Sequence, residues 1–205
     1  MANLTDRELK KIHNFYYIKE MSAPEIANKF KVSLDAVYYF MRRHNLTRRN
    51  YSDQNKIRFK KKSPSFSAKT KLSANEKELV IAGAMLYWGE GSQSDNADIV
   101  DLANSKPEII SIFLKFLRTI YNINETKLRA YLYCYSNQNP KKLINFWEKL
   151  TKIPKRQFTK PYIRKDFKPE KSGKMKHGLL HVRYYDKKLL NTIRETIKKY
   201  INKFA

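Results

Sequence analysis

The sequence predicts an α+β protein in which a small helical domain precedes a larger domain of mixed helices and strands. Helical apolar periodicity extends from residue 1 to about residue 48, and it disappears in the strongly basic stretch that follows. From about residue 75 onward, helix-like and strand-like patterns alternate. A chain of 205 residues is long enough for a small module and a second domain with its own core. We therefore expect a helical domain at 1–48, a basic linker or arm at 49–74, and an α+β domain at 75–205.

The composition points to a polyanionic partner. The chain contains 43 Lys and Arg residues against 19 Asp and Glu residues, a formal charge of +24. Such an excess repels itself in the folded state unless a polyanion neutralises it, and nucleic acid is the polyanion we expect. An anionic membrane surface is the alternative, but no apolar run approaches the ~18 residues of a membrane-spanning helix, and the N-terminus lacks a signal-peptide core. We expect an intracellular protein without a membrane partner, cytoplasmic, and associated with the nucleoid if its host is prokaryotic.

Residues 21–46 match the pattern of a helix-turn-helix. Ser22 and Glu25 have the spacing of a capping box, and Ser33 is placed to cap a second helix after a short turn. The small side chain of Ala27 suits the steep crossing of two helices joined by such a turn. The predicted inner faces are Ile26, Ala27 and Phe30 on the first helix and Val37, Phe40 and Met41 on the second.

This stretch resembles the helix-turn-helix families of resolvases, sigma-factor-like regions and many small regulators, over about residues 5–48. It departs at Lys31, where those families usually have glycine in a left-handed turn, at a cost of about 1 kcal/mol. The helix at 34–44 is then the recognition helix, with Arg42 and Arg43 as phosphate contacts. The residues available to a major groove and its phosphates are Ser33, Asp35, Ala36, Tyr38, Tyr39, Arg42 and Arg43. The alternative is a three-helix module that docks a protein or merely folds.

Basic side chains dominate the stretch from Arg42 to Lys71. It contains eleven basic residues and one acid, Asp53, and it lacks apolar periodicity. We interpret it as a linker or as an arm that contacts phosphates. Arg48 and Arg49 are expected in a minor groove or along the DNA backbone.

The last segment alternates predicted helices and strands. The helices are at 75–89, 107–121, 139–151 and 187–202, and the strands are at 97–103, 127–135, 157–164 and 178–185. Two strands, at 127–135 and 178–185, alternate with period two, so that one face is apolar and the other is basic and aromatic. In a chain of this charge, two such faces favour a nucleic-acid surface over an ordinary solvated face. The side chains expected to contact DNA there are Lys127, Arg129, Tyr131, His181 and Arg183.

Small residues and one acid mark the first helix of this segment. Three of the five glycines fall within residues 83–91. The run Ala82–Ala84 lets another helix approach closely. Glu90 lies at the C-terminal end of the helix, where a carboxylate is disfavoured by about 0.3 to 1 kcal/mol unless a metal ion or a basic group pairs with it. Gly91 is expected to end the helix in the left-handed conformation.

The segment GAMLYWGEGS resembles a LAGLIDADG motif, the signature of a class of homing endonucleases. Ala84 and Glu90 stand at its alanine and its final acid, whereas Met85 and Trp88 replace a packing glycine and an inner acid. The resemblance extends over about residues 76–200. It is clearer in the order of the secondary-structure elements than in the identities of the residues. It implies a LAGLIDADG-like domain whose mixed or antiparallel sheet is covered by helices and reads a DNA groove.

The resemblance further implies a site-specific endonuclease that hydrolyses phosphodiester bonds in double-stranded DNA. Glu90 would be its catalytic residue and its metal ligand, with Mg²⁺ as the divalent cofactor. Because the chain has one motif, the resemblance implies a homodimer with a dimer helix at Ala82, Gly83 and Ala84. The first alternative is a transcriptional regulator that keeps this fold and does not cleave DNA. The second is an RNA-binding protein that uses stacked tyrosines on an open sheet.

Overall fold

The computed structural model describes residues 4–165, 173 and 175–204, and the chain divides into two compact units. The N-terminal unit comprises residues 1–63, and the C-terminal unit comprises residues 64–205. The division falls inside the stretch 49–74, so that its first part belongs to the helical unit and its second part to the α+β unit. No helix in the described part of the chain combines the length and the apolar character needed to span a membrane.

The N-terminal unit is built from helices around a small apolar core. Its main helices are α1 (Leu9–His13), α2 (Ala23–Phe30), α3 (Leu34–Arg43) and α4 (Tyr51–Lys61). A 3₁₀ turn at Asp6–Glu8 precedes α1, and a π-helical turn at Asn14–Ile18 follows it. The buried apolar side chains are Ile12, Tyr16, Ala23, Ile26, Ala27, Val37, Phe40 and Met41. The predicted inner faces are confirmed at Ile26, Ala27, Val37, Phe40 and Met41, while Phe30 is half-buried against this core.

Part of the stretch 49–74, which we interpreted as a basic linker or arm, forms helix α4. Its N-terminus is capped by Asn50, whose side chain accepts a hydrogen bond from the Asp53 N–H at 2.8 Å. The helix buries no side chain fully. It is attached by polar contacts, including Gln54 Nε2 to the Arg49 carbonyl at 3.0 Å and Lys61 Nζ to the Glu20 carbonyl at 2.8 Å. A helix held in this way leaves no apolar periodicity in the sequence, and the cap was its only signal.

The C-terminal unit contains all the predicted helices and strands of the last segment. Its helices are α5 (Ala74–Glu90), α6 (Pro107–Tyr121), α7 (Pro140–Thr151) and α8 (Lys187–Phe204). Its strands are β1 (Val100–Asn104), β2 (Leu128–Tyr135), β3 (Tyr162–Arg164) and β4 (Leu179–Tyr184). The strand predicted at 157–164 is shorter than expected, with only an isolated bridge from Phe158 to Ala130 before β3 begins. The α+β class is confirmed.

The four strands form one mixed sheet in the order β1-β4-β2-β3. Strand β4 is antiparallel to both β1 and β2, and β3 is parallel to β2. The register places Leu102, Val182 and Ala130 side by side, and all three are buried. This inward face of the sheet shares one core with the helices. The opposite face alternates out of that core and carries the polar and aromatic side chains.

Gly83 in α5 and Gly91 at its end are explained by close contacts within this unit. A Cβ at Gly83 would collide with the Phe116 ring, so the helix that approaches closely is α6 of the same chain. Gly91 has φ −82° and ψ 163°, so the prediction of a left-handed cap there was wrong. Glycine suits this position because a Cβ would lie 2.5 Å from the Tyr87 ring and carbonyl oxygen.

Candidate nucleic-acid interface

The helix-turn-helix is defined by local hydrogen bonds that its sequence predicted. Ser22 Oγ accepts from the Glu25 N–H at 3.3 Å, and the Glu25 carboxylate accepts from the Ser22 N–H at 2.6 Å, which completes the capping box. Ser33 Oγ accepts from the Ala36 N–H at 3.1 Å and starts α3. The hydroxyl of Ser33, which we had predicted as a DNA contact, therefore has a structural partner at the start of α3.

Lys31 takes the left-handed conformation of the turn, with φ 54° and ψ 42°. The next residue, Val32, donates its N–H to the Ala27 carbonyl at 3.0 Å and closes the end of α2. Lysine therefore occupies the place that glycine holds in similar motifs. Its Cβ is disfavoured there by about 1 kcal/mol, and the geometry of the turn is nevertheless kept.

The exposed side of α3 presents one acid, one ring and two arginines. Asp35, Tyr39, Arg42 and Arg43 are spaced so that they share one face of the helix, and all four are exposed. Tyr39 is well exposed, with 63% of its surface accessible to solvent. Arg43 lies 3.5 Å from Asp6 in an exposed ion pair, which contributes little to stability. Arg42 has no ion pair in the described part of the chain.

Tyr38 and the two arginines that follow α3 have other surroundings. The Arg48 guanidinium lies over the Tyr38 ring, 4.0 Å from its centre. Arg49 lies 4.0 Å from the centre of the Tyr16 ring, donates Nη1 to the Tyr16 carbonyl at 3.1 Å, and donates Nη2 to the Met21 carbonyl. Its backbone N–H also donates to the Tyr16 hydroxyl at 2.9 Å. These contacts correct the prediction for Arg49. Its guanidinium binds backbone carbonyls of the same unit and is not free to lie along DNA.

The outward face of the sheet centres on Asp101 of β1, whose pairing with basic residues the sequence did not predict. Arg183 Nε donates to one carboxylate oxygen at 2.7 Å, and His181 Nδ1 lies 3.0 Å from the other. Burial alone would raise the pKa of Asp101, but the hydrogen bonds and charges of His181 and Arg183 outweigh burial and hold it below its usual value. The signal available in the sequence was the outward position of an acid on a strand that otherwise supplies core.

Three of the five predicted sheet residues, Tyr131, His181 and Arg183, also meet an aromatic neighbour. The Tyr131 ring lies 4.1 Å from the Arg183 guanidinium carbon, and its hydroxyl lies 2.7 Å from that of Tyr185. Arg129 instead donates Nη1 to the carbonyls of Thr126 and Leu128, at 2.8 and 2.7 Å. The structure thus brings together Tyr131, His181 and Arg183. Arg129 lies opposite Arg183 in the register of β2 and β4, but its guanidinium turns toward the start of β2, and Lys127 comes just before that strand.

The end of α5 shows no metal-binding constellation in the described residues. Glu90 is exposed there, and no group of three or more His, Cys, Asp or Glu side chains that could hold a metal ion occurs among the described residues. Gly83 and Ala84 are buried within their own chain, and only Ala82 of the predicted dimer helix is exposed. Packing against α6 therefore accounts for Gly83, and the homodimer stays a prediction.

Comparison with known families identifies the N-terminal part of the chain as similar to helix-turn-helix proteins. Residues 2–79 match the model of the UPF0122 family, described as "Putative helix-turn-helix protein, YlxM / p13 like". The match spans the N-terminal unit and the first turns of α5. No curated protein and no solved structure gives a significant match to the chain.

This match corrects the resemblance to the LAGLIDADG homing endonucleases, which was wrong. The family whose model matches is a helix-turn-helix family and not that class of endonuclease. Cleavage, the Mg²⁺ cofactor and the catalytic role of Glu90 depended on that resemblance. A metal partner for Glu90 was suggested also by its position at the helix C-terminus, and it stays a prediction. An α+β domain with a mixed sheet is present, but such a fold serves many functions and does not by itself identify one.

Proposed function

We propose that this protein is a non-cleaving DNA-binding regulator whose N-terminal unit binds double-stranded DNA through its helix-turn-helix. The observation that carries the proposal is the exposed face of α3. Tyr39, Arg42 and Arg43 project from a helix whose opposite side is locked into the core by Val37, Phe40 and Met41. Similarity to a helix-turn-helix family over residues 2–79 supports the same function.

The residues of this face are suited to two kinds of contact, those with phosphates and those with base edges. Arg42 and Arg43, in the last turn of α3, are suited to phosphate oxygens, which fix the orientation of the protein on the duplex. Asp35, in the first turn, and Tyr39 one turn later are suited to base edges in the major groove, because the N-terminal residues of a recognition helix lie deepest. Arg48, which is exposed beside Tyr38, would extend the contact along the backbone.

We include the outward face of the sheet as a second DNA-contacting surface. Residues 64–205 contain more than twice as many lysines and arginines as acids, so this unit is attracted to a polyanion in its own right. On the sheet, Asp101 orients Arg183 and His181, and the Tyr131 ring packs against the Arg183 guanidinium. Arg129 and Lys127 would add phosphate contacts near the start of β2. A homodimer belongs to the same proposal, since paired helix-turn-helix units read half-sites about 34–36 Å apart.

Replacement of Arg42 and Arg43 by alanine in the full chain tests the role of α3. A duplex selected from a random pool, labelled for fluorescence anisotropy, is titrated at several salt concentrations. We expect the double variant to bind at least about 10-fold more weakly and the slope of log K against log salt to fall by about 2, because two phosphate contacts are lost.

A matched control replaces Arg7 and Lys10, which are exposed in the same unit but lie outside α3. This variant removes the same charge and should retain most of the affinity for the selected duplex. If the Arg42 and Arg43 variant kept both the affinity and the salt slope of the unmodified protein, α3 would not be the DNA-binding helix. Incubation of the selected duplex with Mg²⁺ should leave it intact.

A further inference from the structure

The N-terminal unit contains a cavity of about 430 Å³ between the start of α2 and helix α4. Small-molecule sites in proteins commonly have volumes of about 300 to 1,000 Å³. The side chains that matter for its chemistry are Pro24, Tyr38, Arg48, Ile57 and Arg58. The cavity therefore combines apolar walls, an aromatic ring and guanidinium groups in one concave site, separate from the exposed face of α3.

Two arginines of the cavity are available to an anion. Neither Arg48 nor Arg58 forms an ion pair with an acid in the described part of the chain. Stacking on the Tyr38 ring restricts the Arg48 guanidinium, so less freedom is lost when it binds a ligand. The planar fork of a guanidinium group matches the oxygens of a phosphate, with two parallel hydrogen bonds.

The two acids that also line the cavity do not cancel this charge, because each already has a cation. Glu20 lies 3.2 Å from Lys60 Nζ, and Glu25 lies 3.7 Å from Lys61 Nζ. Glu25 also accepts the Ser22 N–H at 2.6 Å, and the hydrogen bonds from Ser22 hold its pKa below the usual value. Both carboxylates are therefore paired with lysines, which leaves Arg48 and Arg58 as cations of the site without an ion pair to an acid among the described residues.

We propose that this cavity binds an organic phosphate ester of about the size of a mononucleotide. Arg48 and Arg58 bind its phosphate, and the organic part packs against Pro24 and Ile57. The site shares Arg48 with the proposed DNA surface, but none of Asp35, Tyr39, Arg42 and Arg43 on the exposed face of α3 lines the cavity, so the role of α3 can be tested separately. A phosphate ester can also come from the DNA backbone, so the experiment must separate a free ligand from DNA.

The probe is 5′-AMP, titrated into the full chain by isothermal titration calorimetry at low salt, with adenosine as its uncharged counterpart. We expect 5′-AMP to bind and adenosine to bind at least about 10-fold more weakly, because the charged phosphate supplies the stronger hydrogen bonds. Arg48→Gln and Arg58→Gln should each weaken 5′-AMP binding about 10-fold or more. Arg7→Gln, an exposed arginine of the same unit outside the cavity, should leave it unchanged.

Failure of 5′-AMP to bind, or binding that Arg48→Gln and Arg58→Gln leave unchanged, overturns the proposal of a free ligand. If 5′-AMP fails to bind while Arg58→Gln weakens the selected duplex, the phosphate bound at this site is that of DNA. Loss of duplex binding in the Arg42 and Arg43 variant with unchanged 5′-AMP binding is the result expected if the two sites are independent. Circular dichroism of each variant checks that the unit is folded.

Discussion

The two units of this protein are stabilised in different ways. The C-terminal unit encloses a large apolar core, in which Trp147, Tyr87, Phe113 and Phe116 are fully buried between helices and sheet. The N-terminal unit has a much smaller core and adds charged hydrogen bonds to it, above all those of Arg49 to the carbonyls of Tyr16 and Met21. A small domain buries a lower fraction of its surface, so single polar contacts carry a larger share of its stability.

The two units also differ in how clearly their structural residues are separated from the residues available to a partner. In the C-terminal unit, the inward and outward faces of each strand are separated by the strict alternation of side chains. In the N-terminal unit, two arginines of the same basic stretch have opposite roles, with Arg42 exposed on α3 and Arg49 half-buried against Tyr16. Charge alone therefore does not distinguish a DNA contact from a structural contact there.

The largest expected effect is on the C-terminal unit. Gly83→Ala should lower its free energy of unfolding by about 3 kcal/mol, because the added methyl group collides with the Phe116 ring in a closely packed helix pair. Both tryptophans of the chain, Trp88 and Trp147, lie in this unit, so tryptophan fluorescence during urea unfolding reports on it alone. The matched change Gly89→Ala adds a methyl group to the same helix where nothing lies within 4 Å. An equal loss of unfolding free energy in both variants would show that contact with α6 does not restrict the size of residue 83.

An intermediate effect is expected in the N-terminal unit. Arg49→Met should lower its free energy of unfolding by about 2 kcal/mol, since hydrogen bonds to charged groups contribute about 1.5 to 3 kcal/mol. Hydrogen exchange of residues 4–63 measures this loss, while the tryptophan transition of the other unit should not move. Arg48→Met is the control, because that neighbouring arginine is exposed and should change stability by no more than about 0.5 kcal/mol. If Arg48→Met destabilised the unit as strongly as Arg49→Met, the contrast between the two arginines would fail.

The smallest effect concerns the turn between α2 and α3. Lys31→Gly should raise the free energy of unfolding of the N-terminal unit by up to about 1 kcal/mol, because glycine adopts the left-handed conformation without a Cβ penalty. The same hydrogen-exchange measurement detects the change. Asn28→Gly is the opposite control, since it places glycine in the helical part of α2 and should destabilise it. A destabilised Lys31→Gly variant would mean that the lysine side chain makes a contribution larger than the strain.

Much of the fold could be predicted from the sequence, and much less of the candidate site. The period of the apolar residues predicted helices α5 to α8 and strands β1, β2 and β4, since each of them buries one face. Strand β3 buries none of its three residues and is shorter than the strand predicted at 157–164. Helix α4 was missed because it buries none and is held by polar contacts of residues distant in sequence, such as Lys61 with Glu20. For the same reason, nothing in the local sequence separates Arg49 from Arg48, or places Asp101 between His181 and Arg183.

The motif at the end of α5 shows that similarity over a short sequence does not by itself identify a function. Gly83 and Gly91 belong to close contacts with Phe116 and Tyr87, and these contacts account for the glycines without a partner chain or a metal ion. A similar set of small residues arises wherever two helices pack closely, so it does not identify a catalytic class. The family match lies at the other end of the chain, over residues 2–79.

By itself, the sequence determined the α+β class, the helix-turn-helix with its two serine caps, and the excess of positive charge that favours a polyanionic partner. These properties depend on periodicity, local hydrogen bonds and composition, all of which act over a few residues or over the whole chain. Only the tertiary structure decided which arginines are free, where the sheet concentrates its charges, and that a cavity lies between α2 and α4. Those features depend on contacts between segments far apart in the chain, which no local pattern encodes.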